Sequence, residues 1–140
     1  MPNSDSIVAY ADVPQLLFVC SRTNSDRGAA WVQVAGELDI ATTPQLERTL
    51  RDAARQARLV VLDLRGVRFM DCSGVRVIVD ASVRARQLGY RLVLLRGPPN
   101  VDRVFALTGH TDAVEIADVD PGDPPVRALP QLPDLYAGNH

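Results

Sequence analysis

An acid, a thiol, a hydroxyl and a glycine follow one another at Asp71-Cys72-Ser73-Gly74. Three chemistries fit such a cluster: a nucleophile, a phosphorylation site, or only the capped start of a helix. Asp71 suits an N-cap, because its carboxylate can accept hydrogen bonds from first-turn amides, and Gly74 lets a neighbour approach the backbone closely. Cap and recognition roles stand at even weight for Asp71. A thiol at a helix start can ionise more easily, but the adjacent Asp71 opposes that. The low-molecular-weight phosphatase signature requires an Arg where this chain has Ile78, and Arg76 comes too early. No G-x-S-x-G elbow surrounds Ser73. His110 and His140 have neither triad nor ligand spacing, and no G-x-G-x-x-G follows a strand. No catalytic residue, metal ligand or cofactor is therefore assigned. Pro98 and Pro99 simply turn the chain.

The elements that must position this cluster follow from the pattern on either side. Leu16–Ser21 and Ala30–Ala35 are short β-rich runs joined by turn chemistry, which predicts a hairpin. An amphipathic helix follows, with Leu46, Leu50, Ala53, Ala54 and Ala57 at helical spacing. Its start has two candidates: Thr43 as cap with Pro44 as first helical residue, or Thr42 with Gln45 as a capping box. Arg58–Leu64 is almost continuously apolar, as in strands buried on both faces. Ser73–Leu88 is the second helix, closed by Gly89. Tyr90–Leu95 is a strand, Val101–Leu107 a short helix ended by Gly109, and Val114–Ala117 the last strand. The order is ββαβαβαβ, an α/β fold with a mixed sheet whose later strands are parallel.

At about 100° per residue, Gly74, Val77, Ile78, Ala81, Ala85 and Leu88 share the face expected against the sheet. Arg76, Asp80, Arg84 and Gln87 make a polar face. Val75, Val79 and Val83 form a further apolar stripe beginning at the Asp71 turn. A broad core face explains it, and so does a docking surface, since β-branched residues are mediocre helix formers on a solvated flank.

The whole chain has 140 residues, 46% of them hydrophobic, and a net charge of −2. That suffices for one domain with a real core. Its 15 basic residues, all Arg, are scattered, which fits a coding preference better than an anion site, and no basic patch marks a nucleic-acid partner. The first residues lack a signal-peptide pattern, and no apolar run is long enough to span a membrane. Cys20 and Cys72 form no C-x-x-C pair, so a reduced, cytoplasmic protein is expected. Residues 1–12 are read as an N-terminal arm, 13–119 as the domain, and 120–140 as an irregular tail holding half of the ten prolines.

Three segments together resemble the STAS family, within it the anti-sigma factor antagonists: GELDIATTPQL at 36–46, VVLDLRGVRFMDCSGVRVIV at 60–79, and RLVLLRGPPNVDRVFALTG at 91–109. The resemblance implies helices packed mainly on one side of the sheet and a role in partner switching. An antagonist binds a GHKL-type serine-kinase anti-sigma factor and frees the sigma factor. Phosphorylation by that kinase ends the binding, and a phosphatase restores it. The resemblance places the partner surface on Glu37, Asp39 and Thr42, on Asp71, Cys72, Ser73 and Gly74, and on Val75, Val79 and Val83. It leaves room for a homodimer. In the family the acceptor serine usually follows the Asp directly; here that position is Cys72, with Ser73 next to it. Either Ser73 has taken over the role, or phosphate is not the switch, or Cys72 is a redox-responsive replacement. The competing function is a STAS interaction or ligand-binding module in another complex, such as a sensor or a lipid transporter.

Overall fold

The computed structural model describes residues 18–24 and 28–118. Five strands form one sheet in the order β1-β2-β3-β4-β5: Phe18–Asn24, Ala29–Leu38, Leu59–Met70, Arg91–Leu95 and Glu115–Ala117. Strand β1 is antiparallel to β2, and every later pairing is parallel. The helices are α1 (Thr43–Ala54), α2 (Cys72–Leu88) and α3 (Pro99–Thr108), with a 3-10 turn at Thr111–Ala113. The expected order and mixed sheet are those observed. The N-terminal arm and the tail lie outside the described residues.

All three helices pack on one face of the sheet, because each buries an apolar stripe there. Leu46, Leu50 and Ala53 of α1, Ile78, Ala81 and Ala85 of α2, and Val101 and Phe105 of α3 join one core. The sheet contributes Val32 and Val34, Val60 and Leu62, and Leu92 and Leu94, alternate residues of three adjacent strands. The other face carries a separate apolar cluster of Ala29, Leu59, Val61, Val93 and Leu95. Residues 59–64 are therefore buried on both faces, as their unbroken apolar run predicts.

Strand β3 is longer than the sequence suggests. It was expected to stop at Leu64 and instead continues to Met70. The pairing with β2 shifts between Gln33 and Ala35 and again between Gly36 and Glu37, so β3 carries two extra residues. These irregularities break the two-residue period that marks a strand in sequence, yet Val67 and Met70 still turn into the core. Gly66 sits at the first shift, where a Cβ would lie 3.1 Å from the Val34 carbonyl and from Ala35 Cβ. Helix α3 begins at Pro99, ahead of the expected Val101. Gly89 and Gly109 close α2 and α3 in the left-handed conformation, as predicted.

One acid is buried in the sheet. Asp63 accepts from the Trp31 indole N–H at 3.1 Å, from the Arg65 amide at 3.0 Å, and from the Arg65 guanidinium at 2.9 and 3.0 Å. Burial of an ion is tolerable when its partners surround it in this way.

Candidate functional site

The parallel strands β2 and β3 end side by side, with Leu38 paired to Met70. Each strand then turns into a helix, so two helix starts meet at one end of the sheet. At the β3 end, Asp71 adopts an extended backbone and caps α2. Its carboxylate accepts from the amides of Ser73 at 2.9 Å and Gly74 at 3.4 Å. The Ser73 hydroxyl donates to the same oxygen. The Asp71 amide donates to the Leu38 carbonyl at 3.2 Å, tying the turn to β2. Gly74 is buried under this turn, where a Cβ would lie 2.6 Å from Met70 Cγ and 3.1 Å from Leu38 Cγ. Gly74 is thus required by close approach, not by backbone conformation.

At the β2 end the loop folds on itself. Asp39 accepts from the amides of Ala41 at 3.0 Å and Thr42 at 3.3 Å. The Thr42 hydroxyl donates to the Glu37 carbonyl and accepts from the Asp39 amide, both at 2.9 Å. Neither expected cap forms: Thr42 is the N-cap of α1, but its side chain turns back to the strand and makes no cap hydrogen bond. Pro44 follows in the first turn, where a missing N–H costs little.

Among the expected site residues, Cys72 is exposed, while Glu37, Asp39, Thr42, Asp71 and Ser73 are half-buried around it. The stripe of three valines is corrected at its first member. Val75 is only 1% exposed and belongs to the core, so it offers no surface. Val79 is half-buried against that core, and only Val83 is exposed. The cause is that α2 packs against α1 and α3 as well as the sheet, which widens its buried face. Two exposed residues absent from the sequence-based set stand at the same end: Ile40 in the loop, and Phe69, which pairs with Glu37. Their signal was weak, since an apolar residue at a strand end or in a turn is ordinary.

A cleft of about 350 Å³ runs along the flank of α2 from Cys72 through Arg76 and Val79, with Thr108 and His110 opposite. His110 is therefore brought to the Cys72 side of the molecule by the end of α3, a placement its distance in sequence hides. The second thiol is elsewhere: Cys20 lies in β1 against the core, and both cysteines are free. Burial pushes the Cys20 thiol above its ordinary value, with a hydrogen bond to Thr49 opposing the shift. Among the described residues no group of three or more His, Cys, Asp or Glu could hold a metal ion, and no helix is long and apolar enough to cross a membrane.

Comparison with known proteins agrees with this architecture. The chain is 35% identical over 88 residues to the anti-sigma-B factor antagonist of Listeria monocytogenes, covering 62% of this chain and 77% of that one. It is 30% identical over 86 residues to the Staphylococcus aureus protein of the same name, covering 61% and 80%. The structure of the anti-sigma factor antagonist SpoIIAA in its unphosphorylated form superposes with a TM-score of 0.65 at 20% identity, over 86% of this chain and 97% of that one. The described strand and helix order is that of the SpoIIAA fold. The STAS domain model matches residues 22–119, which takes in the hairpin, both helix starts and the last strand, and the chain belongs to the STAS domain family.

Proposed function

We propose that this protein is an anti-sigma factor antagonist: it binds an anti-sigma factor of the GHKL serine-kinase type in the cytoplasm and so releases a sigma factor. The observation that carries this is the identity to relatives named anti-sigma-B factor antagonists, which extends across the segments that form both helix starts. The docking surface is the 39–42 loop with Ile40, the exposed Phe69, the Asp71–Ser73 turn, and the α2 flank at Val79 and Val83. Binding, not catalysis, is its activity.

The geometry supports a changed switch. In a phosphorylated antagonist the γ-phosphoryl group of ATP passes to a serine oxygen at the start of this helix. It adds roughly −1.5 to −2 charges there, enough to repel a partner surface. The exposed position here is Cys72, which has no oxygen to accept the group. The Ser73 hydroxyl is half-buried and donates to the Asp71 carboxylate, so its lone pairs are poorly presented to an incoming phosphate beside a negative charge. Ser73 is therefore a poor acceptor.

Incubation with the cognate kinase and labelled ATP tests both statements. The unmodified chain binds the kinase yet takes up little label, whereas Cys72→Ser is labelled at position 72. Strong labelling of the unmodified chain mapped to Ser73 would overturn the substituted switch. Failure to bind any kinase-type anti-sigma factor of its own organism would overturn the function itself.

A further inference from the structure

The face of the sheet turned away from the helices has two unlike halves. Along β2 the residues alternate, so Val32 and Val34 point to the helices while Ala29, Trp31 and Gln33 point away. The same parity sends Ser21 and Thr23 of β1, Leu59, Val61 and Asp63 of β3, and Val93 and Leu95 of β4 to the far face. Over β1 and β2 that face is polar and open: Ser21, Thr23 and Gln33 are exposed. Over β3 and β4 it is apolar and dry. Leu59 is 1% exposed, Val61 2%, Val93 0% and Leu95 1%. None of the described helices accounts for this, since all three pack on the opposite face. Aliphatic side chains at the centre of a sheet face lose contact with water only when another layer is stacked about 10 Å above them.

We propose that the C-terminal segment, residues 119–140, is that layer: an intramolecular strap laid across β3 and β4. Its point of departure fits. The chain leaves the sheet after Ala117, which pairs with Leu95 and packs against the far-face cluster, so the segment starts at the margin of the dry half. Residues 1–17 join the sheet at Phe18 in β1, beside the polar half and three strands from β4. The sequence of the segment fits as well. Val126, Leu129, Leu132 and Leu135 recur at every third residue, with Pro130 and Pro133 between them. A polyproline II helix has three residues per turn, so this spacing puts all four on one side. Its rise of about 3.1 Å per residue carries Val126 to Leu135 over roughly 28 Å, more than the apolar half requires. Proline would interrupt a further strand, but it stiffens a strap and lowers the entropy lost on docking.

Trp31 reports on this directly, because it is the single tryptophan and stands on the far face beside the dry half. Acrylamide quenching of its fluorescence is measured in the full chain, in a chain ending at Asp118, in a chain lacking residues 1–17, and in a full chain carrying Leu129→Ser with Leu132→Ser. Far-UV circular dichroism monitors the helices. The expected result is at least a twofold rise in the quenching constant for the shortened C-terminus and for the double substitution, at unchanged helix content. Removal of residues 1–17 leaves quenching as it was. Quenching that rises only when residues 1–17 are removed overturns the proposal, as does quenching that depends on protein concentration, which would make the cover a second copy. Should the chain ending at Asp118 fail to fold, the double substitution decides alone, and unchanged quenching there overturns the strap.

Discussion

Helix α1 leaves the end of β2 and helix α2 leaves the end of β3, from two residues that pair across the sheet, Leu38 and Met70. At α2 the capping carboxylate faces forward: Asp71 takes two helix amides and the Ser73 hydroxyl. At α1 the capping position faces backward: Thr42 bonds to Glu37 and Asp39, and the helix receives no side-chain cap. The difference separates two tasks. The α1 start holds the shape of a loop, whereas the α2 start concentrates helix amides and a fixed negative charge around an exposed side chain at Cys72. A modification at position 72 acts on an electrostatic setting that the α1 start lacks.

Substitutions can break this comparison. The largest effect is expected for Asp71→Ala, which removes the acceptor from two amides and a hydroxyl at once. Loss of an N-cap costs about 1–2 kcal/mol, a fall in Tm of roughly 5 °C for a domain of this size. A smaller loss is expected for Thr42→Val, about 0.5–1 kcal/mol, because one hydrogen-bonding hydroxyl is lost at a half-exposed site where water can replace it. Thermal melts of the two variants check the order. If Thr42→Val melts at or below Asp71→Ala, the α1 start is the more strongly held and the comparison is inverted. The smallest effect belongs to Cys72→Ala, within about 0.5 kcal/mol of the parent, since the thiol is exposed. A clear loss in urea titration would show that Cys72 contributes to the fold and not only to the surface.

Most of the architecture was legible because local signals agreed with one another. Asp71 before an apolar helix, Gly89 and Gly109 after two others, and the unbroken run at Leu59–Leu62 each state a backbone requirement, and each is met. What escaped was set by pairs distant in sequence. The extension of β3 to Met70 depends on two register shifts against β2, and no periodicity within Arg65–Met70 announces them. Val75 resembles a surface valine on a helical wheel and is buried by neighbouring helices. At the α1 start, Thr42 and Thr43 both suit a cap by type, yet the nearby strand end competes successfully for the Thr42 hydroxyl. His110 meets the Cys72 cleft only because α3 and its closing glycine carry it there.

Asp63 has a meaning for the unfolded chain as well. Leu59 to Leu64 reads LVVLDL, a stretch of high β-propensity of the kind that stacks between chains when exposed. In the folded protein its single acid is matched by Arg65 and Trp31 and costs the sheet little. When the sheet opens those partners are lost, and an ionised carboxylate is left in the middle of the stretch. In-register stacking would then place like charges about 4.8 Å apart along a fibril. The residue that is neutralised within the sheet acts as a gatekeeper against aggregation outside it.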